Sequence, residues 1–387
     1  MEGYFPPLLL FLLFILQCSS LSTPLTSLSR GTWVKFICGA SNQDVPLVRN
    51  LCLLYTQAGV DCIDLSADPA VVRAADEGIS RALALRPGCP RPLLMVSVND
   101  AQDLHFRKAS FDPATCPTDC SKPCERVCPA WAIPPLTSLG TPRSDGVISE
   151  RCYGCGRCIP TCPFGLIDEV SYVANRTAIS SLFASGLVEA IEVHTTHGQE
   201  ASFAELWAAI GADILPAAKV VAVSFPDMKC ETLPYLSRLQ AIMARQPHWP
   251  SFAGVQIWQT DGRPMSGDVG KGTAHASTQF ALQLLREAST ASDESSINLS
   301  GRRGAPRQFL QLAGGTNDYS AVLAKSQGLS EAAGFGGFAF GGYARREIGT
   351  VLRSLEDRQP GANIEDHPYE LELCMTFADK LVRGVKG

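Results

Sequence analysis

Cys152-Tyr-Gly-Cys155-Gly-Arg-Cys158-Ile-Pro-Thr-Cys162-Pro163 is the stretch from which the organisation of this 387-residue chain is read. Its C-x2-C-x2-C-x3-C-P spacing is that of an iron–sulfur ligand loop. Three thiolates on one tight loop reach three irons of a cube, and the fourth, a few residues on, points to a neighbouring cube. Gly154 and Gly156 supply the backbone angles that such wrapping requires. Soft thiolates suit these centres better than hard oxygen donors do.

A second group lies upstream: Cys116-Pro-Thr-Asp-Cys120-Ser-Lys-Pro-Cys124-Glu-Arg-Val-Cys128-Pro129. Its gaps are three, three and three residues, wider than in the downstream group. The economical pairing puts Cys116, Cys120, Cys124 and Cys162 on one cluster, and Cys152, Cys155, Cys158 and Cys128 on the other. Two [4Fe-4S] clusters are therefore expected, with the first open to a [3Fe-4S] form or a labile fourth site. Disulfides and paired zinc sites compete, but zinc gives no reason for two triplets each followed by Cys-Pro. Cys18, Cys38, Cys52, Cys62, Cys89, Cys230 and Cys374 are scattered singly, as buried reduced thiols are.

The net charge of −5 comes with no basic stripe, which argues against a nucleic-acid partner. Leu8 to Leu16 is an unbroken apolar run, too short to span a bilayer and similar to the core of a targeting signal. Residues 1–30 are accordingly set outside the fold as a targeting segment, leaving no stable membrane span in the mature chain. The sequons at Asn175 and Asn298 point to secretion, whereas oxygen-sensitive clusters point to an organelle.

From Gly31 onward short β-rich runs alternate with helical patterns. The strand candidates are Trp33–Ala40, Asp61–Ser66, Leu93–Val98, Leu187–His194, Val220–Phe225, Val255–Gln259, Gln308–Leu312 and Gly337–Phe340. Each is mostly apolar, as parallel strands covered on both faces are. Amphipathic helices are expected at Leu47–Ala58, Ala70–Leu83, Ser202–Ile210, Leu233–Arg245 and Tyr369–Val382. Ser202 and Glu205 have the spacing of a capping box. Eight such units imply an α/β fold, a (β/α)8 TIM-type barrel with an inserted two-cluster ferredoxin-like domain. An open doubly wound sheet is the rival. The divisions are 31–104 for the first part of the barrel, 105–170 for the insert, and 171–387 for the remainder and C-terminal helix. The cysteines then follow the third strand on the carboxyl-end face, while the serine-rich Ser289–Gly304 lies on the opposite face.

Other candidate ligand-binding residues follow late strands. Gly314 with Gly315, and Gly341 with Gly342, stand where barrels cradle phosphate, or simply make tight turns. The glycine-laden loop after the sixth strand offers Asp261, Arg263, Asp268 and Lys271 for an anionic or polar ligand. A flavin or another phosphate-bearing ligand would suit these positions. His194 and His197 at the fourth strand's end, and His275 at a helix start, read as acid–base or metal candidates or as ordinary polar residues. No catalytic residue is assigned.

Trp33-Val-Lys-Phe-Ile-Cys-Gly-Ala-Ser41, Ala58-Gly-Val-Asp-Cys-Ile-Asp64, Ala67-Asp-Pro69, the upstream cysteine group with Pro123-Cys-Glu-Arg-Val-Cys-Pro-Ala130, and Asp261-Gly-Arg-Pro-Met-Ser-Gly-Asp268 together resemble the light-dependent period family. The similarity runs across residues 31–387. It implies an iron–sulfur protein that senses redox state and adjusts circadian period to light through clock-associated signalling proteins. It also implies a plastid destination for the N-terminal extension, with the cytoplasm as the alternative. The residues themselves support two functions. One is a redox sensor or electron-transfer protein reporting a redox carrier or quinone pool. The other is a flavin-dependent oxidoreductase fed by the clusters. A radical S-adenosylmethionine enzyme fits worse, since no C-x3-C-x2-C triplet follows the first strand.

Overall fold

The computed structural model describes residues 24–134, 146–261, 270–290, 297, 299 and 306–387. Eight parallel strands close into a barrel. They are β1 (Trp33–Ile37), β2 (Cys62–Ser66), β3 (Leu93–Asn99), β6 (Ala190–His194), β7 (Val220–Pro226), β8 (Val255–Asp261), β9 (Arg307–Ala313) and β10 (Phe335–Phe340). Neighbours follow chain order, and β1 closes the ring on β10 through Trp33↔Gly337 and Lys35↔Ala339. The eight expected strands are all present, and closure removes the open-sheet rival.

Two short strands interrupt the series between β3 and β6. β4 (Arg107–Ser110) and β5 (Asp168–Ser171) pair antiparallel, with Arg107 opposite Ser171 and Ser110 opposite Asp168. Both cysteine groups lie between them. The hairpin is therefore a clasp at the root of the cysteine-bearing excursion.

Local sequence explains the outer layer. Asp44 accepts a hydrogen bond from the Leu47 amide at the start of α2 (Val45–Ala58), which ends on Gly59 at φ 88°. Asp68 caps α3 (Pro69–Leu85) in the same way, with proline at the first helical position. The outward strand residues, among them Phe36, Leu65, Val96, Val193, Val223 and Phe338, form one core with the surrounding helices. The expected capping box at Ser202 is not used. Helix α7 (Glu200–Ile214) begins two residues earlier, and its cap residue Gln199 makes no side-chain cap bond. The last helix, α12 (Pro368–Lys386), extends beyond the expected span at both ends.

The sequence reading placed residues 1–30 outside the fold; the structure draws 24–30 into it. Helix α1 (Pro24–Ser29) packs Leu28 into the barrel's inner apolar cluster beside Trp33, Cys62, Leu93, Val220 and Val255. Ser27 donates to the Asp61 carboxylate, whose other oxygen accepts the Val34 amide and which also receives Lys386. The short apolar spacing of Leu25 and Leu28 was hidden in a serine-rich stretch. Leu28→Ala is expected to lower unfolding free energy by about 2–5 kcal/mol, the range for an emptied buried leucine. Denaturant titration of the cluster-loaded protein checks this, and a loss under about 0.5 kcal/mol would remove α1 from the core.

Candidate metal centre and barrel mouth

The cysteines are positioned by two short helices and by the clasp. Cys124 lies in α4 (Pro123–Val127), with Cys128 just beyond its end. Cys158 opens α5 (Cys158–Thr161), and the Cys162 amide donates back to the Cys158 carbonyl. Gly154 and Gly156 both adopt positive φ, 71° and 72°. A side chain at Gly154 would stand 2.3 Å from the Arg107 carbonyl, so the loop can approach β4 only with glycine there.

Cys128, Cys152, Cys155 and Cys158 converge on one cavity, lined also by Ala109, Ala132, Ile133, Tyr153, Gly154 and Gly156. Burial, reinforced by Cys155, Cys128 and Cys152, pushes the Cys158 thiol up to about 12. Cys116 feels burial and then Cys120 and, more weakly, Cys162; Cys124 also feels Cys162. Cys116 and Cys124 of the upstream group thus lie within electrostatic reach of Cys162, and Cys128 shares the cavity of the downstream thiols. Backbone amides point at the sulfurs: Ala109 donates to Cys152 and Lys122 to Cys120 at 3.4 Å, Ala132 to Cys128 at 3.2 Å, and Leu166 to Cys162 at 3.4 Å. Burial opposes ionisation of Cys162, but four backbone amides from Phe164 to Ile167 outweigh it and lower its pKa. Soft donors in two quartets, with amides aimed at sulfur, fit iron–sulfur centres.

The excursion is tied to the barrel. Arg107 donates to the Gly154 carbonyl at 3.0 Å, and Tyr172 to the Ser41 hydroxyl at 2.8 Å. Helix α11 (Gly342–Arg358) begins after β10. Its Arg345 lies over the Tyr153 ring, 4.3 Å from the centroid, and donates to the Ile37 carbonyl at 2.7 Å.

Beneath the insert the barrel interior turns polar. The layer nearest the amino ends is apolar, but toward the carboxyl ends the inward positions are Lys35, Asp64, Ser97, Glu192, His194, Ser224, Gln259 and Gln311. Lys35 and Glu192, both fully enclosed, form an ion pair across the barrel. Gln259 donates to Glu192 at 2.7 Å, Gln311 to Gln259 at 2.6 Å, and the Trp33 indole to Gln311 at 2.7 Å. His194 Nε2 lies 3.1 Å from Glu192, and Ser97 donates to Asp64 at 2.8 Å. Burial opposes charge on Glu192, yet Lys35 and His194 bring it down to about 2. Burial likewise opposes charge on His194, but its bond to Glu192 and the nearby Asp103 raise it to about 9. For Asp64 burial wins over Lys35, and its carboxyl rises to about 6.

The remaining candidates are dispersed. Asp261 joins the mouth, accepting the Ser224 hydroxyl at 2.7 Å. Arg263 and Asp268 lie outside the described residues. Lys271, exposed at the start of α9 (Lys271–Thr290), stands over the Tyr319 ring. Gly314 and Gly315 turn at φ 62° and 90°, and the space a side chain would take at Gly315 is filled by Thr273. Gly341 and Gly342 lead into α11. Of the three histidines singled out from sequence, His194 reaches the mouth network; His197 stands near Tyr235 and His275 near Tyr319. Lys35, Asp64, Glu192, Asp103 and His105 were not singled out from sequence. A charged residue between apolar neighbours, as in Val34-Lys35-Phe36 and Ile191-Glu192-Val193, was the available signal.

Fold and site define an α/β-barrel protein carrying a cysteine-rich iron–sulfur insert. The model of the LdpA Fe-S cluster-binding domain matches residues 116–173, and that of the Light dependent period A C-terminal domain matches residues 182–384. Light dependent period A of Synechococcus elongatus is 42% identical over 372 residues, 95% of each chain. The chain belongs to the light-dependent period A family, and the matched insert makes it an iron–sulfur protein. The putative oxidoreductase UacF of Escherichia coli is 32% identical over 87 residues, 22% of this chain and 12% of that protein. Tryptophan synthase of Mycobacterium tuberculosis aligns over 95% of this chain and 99% of its own at 9% identity, with a TM-score of 0.42, too loose a likeness to bear on function.

Removing one partner of a buried ion pair leaves the other charge unsolvated. Lys35→Met and Glu192→Gln are each expected to cost about 3–5 kcal/mol, and the double variant less than their sum. Urea unfolding of the four species measures the coupling; strictly additive losses would mean the two charges do not interact.

Proposed function

We propose that this chain is a two-cluster redox sensor and electron-transfer protein, and the observation that supports this reading is the convergence of Cys128 with Cys152, Cys155 and Cys158 on one cavity. Cys128, Cys152, Cys155 and Cys158 would hold one [4Fe-4S] cluster; Cys116, Cys120, Cys124 and Cys162 would hold the other, of four- or three-iron type. When bound, such centres exchange single electrons at potentials tuned by hydrogen bonds, charge and exposure. The amides of Ala109, Lys122, Ala132 and Leu166 are the chain's own tuning groups, since each stabilises negative charge on a sulfur.

Sensing needs a path from cluster to surface. Tyr153 lines the cavity and carries Arg345 on its ring, and Arg345 also grips the end of β1. A change of charge beside Tyr153 therefore acts on a cation shared by α11 and the barrel. The partners proposed are a redox carrier or quinone pool and, following the name of the cyanobacterial relative, signalling proteins that set circadian period. We further propose that the segment before α1 directs the chain to a plastid. The flavin-fed oxidoreductase remains the competing function, and released flavin in the purified protein would favour it.

Anaerobically purified protein is expected to contain iron and sulfide for two clusters, with electron paramagnetic resonance signals from both on reduction or oxidation. Cys155→Ser should strip or degrade one cluster and lower bound iron by roughly half, because a cubane needs its full ligand set. Iron content unchanged in that variant would overturn the proposed ligand set.

A further inference from the structure

The barrel mouth holds a second group of metal-binding side chains that owes nothing to cysteine. Asp103 lies in the loop after β3, His105 just before β4, and His194 at the end of β6. One donor atom from each falls within 4.8 Å of the others. His105 Nδ1 is 2.8 Å from the Asp103 carboxylate, and His194 Nδ1 is 3.7 Å from the same oxygen. The two imidazole rings are 4.7 Å apart between centroids. Donors at such separations can close on one ion with bonds of about 2.0–2.2 Å after small side-chain rotations.

The support around the group points the same way. Metal-bound histidines usually donate their other ring N–H to a carboxylate, which fixes tautomer and orientation. Glu192 stands 3.1 Å from His194 Nε2, so Nδ1 is the nitrogen left facing Asp103. Glu192 is itself immobilised by Lys35 and Gln259. Asp261 lies 3.9 Å from His105 Nε2 and is anchored by Ser224. The carboxylates of Asp103, Glu192 and Asp261 outnumber the one lysine among them, which favours a cation. His194 is buried, whereas Asp103 and His105 are partly open, giving a route in from the mouth.

We propose that Asp103, His105 and His194 bind zinc at the carboxyl-end mouth of the barrel. Two imidazoles and one carboxylate are borderline donors, suited to this ion and not to the all-oxygen preference of magnesium or calcium. Three protein ligands leave coordination positions for water or a small anionic ligand. The site shares the root of the insert with the cysteine centre: His105 is four residues from Ala109, whose amide meets Cys152. It does not depend on the cluster reading, because none of its donors is a thiol.

The test is equilibrium dialysis of the anaerobic, cluster-loaded protein against zinc, followed by elemental analysis for zinc and iron. One zinc per chain is expected with no loss of iron. His105→Gln and Asp103→Asn should each weaken binding at least about tenfold while leaving iron content and thermal midpoint near those of the parent. His197→Gln, on the neighbouring loop, serves as the control and should bind as the parent does. Zinc K-edge absorption of the loaded parent, which requires no variant, should show nitrogen and oxygen neighbours with imidazole scattering. Unaltered affinity in both site variants, uptake only at the expense of iron, no uptake, or a sulfur-dominated zinc shell would each overturn the proposal.

Discussion

Thiols crowded in a water-poor cavity cannot all ionise unless something positive sits among them, and the insert is built around that constraint. Burial first, and then the neighbouring Cys155, Cys128 and Cys152, hold the Cys158 thiol up to about 12. A bound metal centre inverts this logic by deprotonating its thiol ligands outright. Such a centre would add ligation energy to the apolar cluster that holds Cys128 near the Cys152 loop. Among its described residues the insert has an apolar patch, a two-stranded clasp and directed amides, with a smaller apolar cluster than the barrel's.

The barrel meets the same constraint differently. Its upper interior confines Lys35, Asp64, Glu192 and His194 where no bulk water reaches, and it balances them internally by pairing and by a relay of amides through Gln259 and Gln311 to Trp33. Filling those positions with leucine or valine would give a drier and simpler barrel, because buried ion pairs seldom outperform well-packed apolar side chains. Retaining them at the carboxyl ends, the face on which barrels keep their sites, marks the interior as more than scaffold. At the amino end, by contrast, Leu28 of α1 adds to an apolar layer with Trp33, Cys62 and Val220.

The barrel was legible because strands buried on both faces are mostly apolar, and β1, β2, β3, β6, β7, β8, β9 and β10 all fall on runs of that kind. The cysteine spacing was legible because metal geometry restricts it. What stayed hidden had competing signals. Lys35 and Glu192 read as isolated polar residues within apolar strands, and only the pairing of opposite strands makes them a couple. His105 and Asp103 sit in a connection that looks like any polar turn until β3 and β6 bring His194 beside it. Ser202 and Glu205 satisfy a capping pattern that the helix does not use, because α7 starts earlier over Phe203 and Leu206, which it must bury. Helix α1 lacks the length that a periodicity argument needs, so its burial is a tertiary fact.

The clasp decides how the two halves of the molecule can communicate. β4 is short; His105 lies two residues before it, beside the carboxylates of the mouth, and Ala109 lies within it, its amide touching Cys152. Arg107 between them holds the Gly154 carbonyl on one side and Glu169 of β5 on the other. The Cys152 loop and the segment that carries His105 are thus joined through one short strand. Tyr153 and Arg345 give a second, independent contact across the same seam. Cysteine insert and barrel mouth thus meet at one seam, held by β4 and by the Tyr153–Arg345 contact.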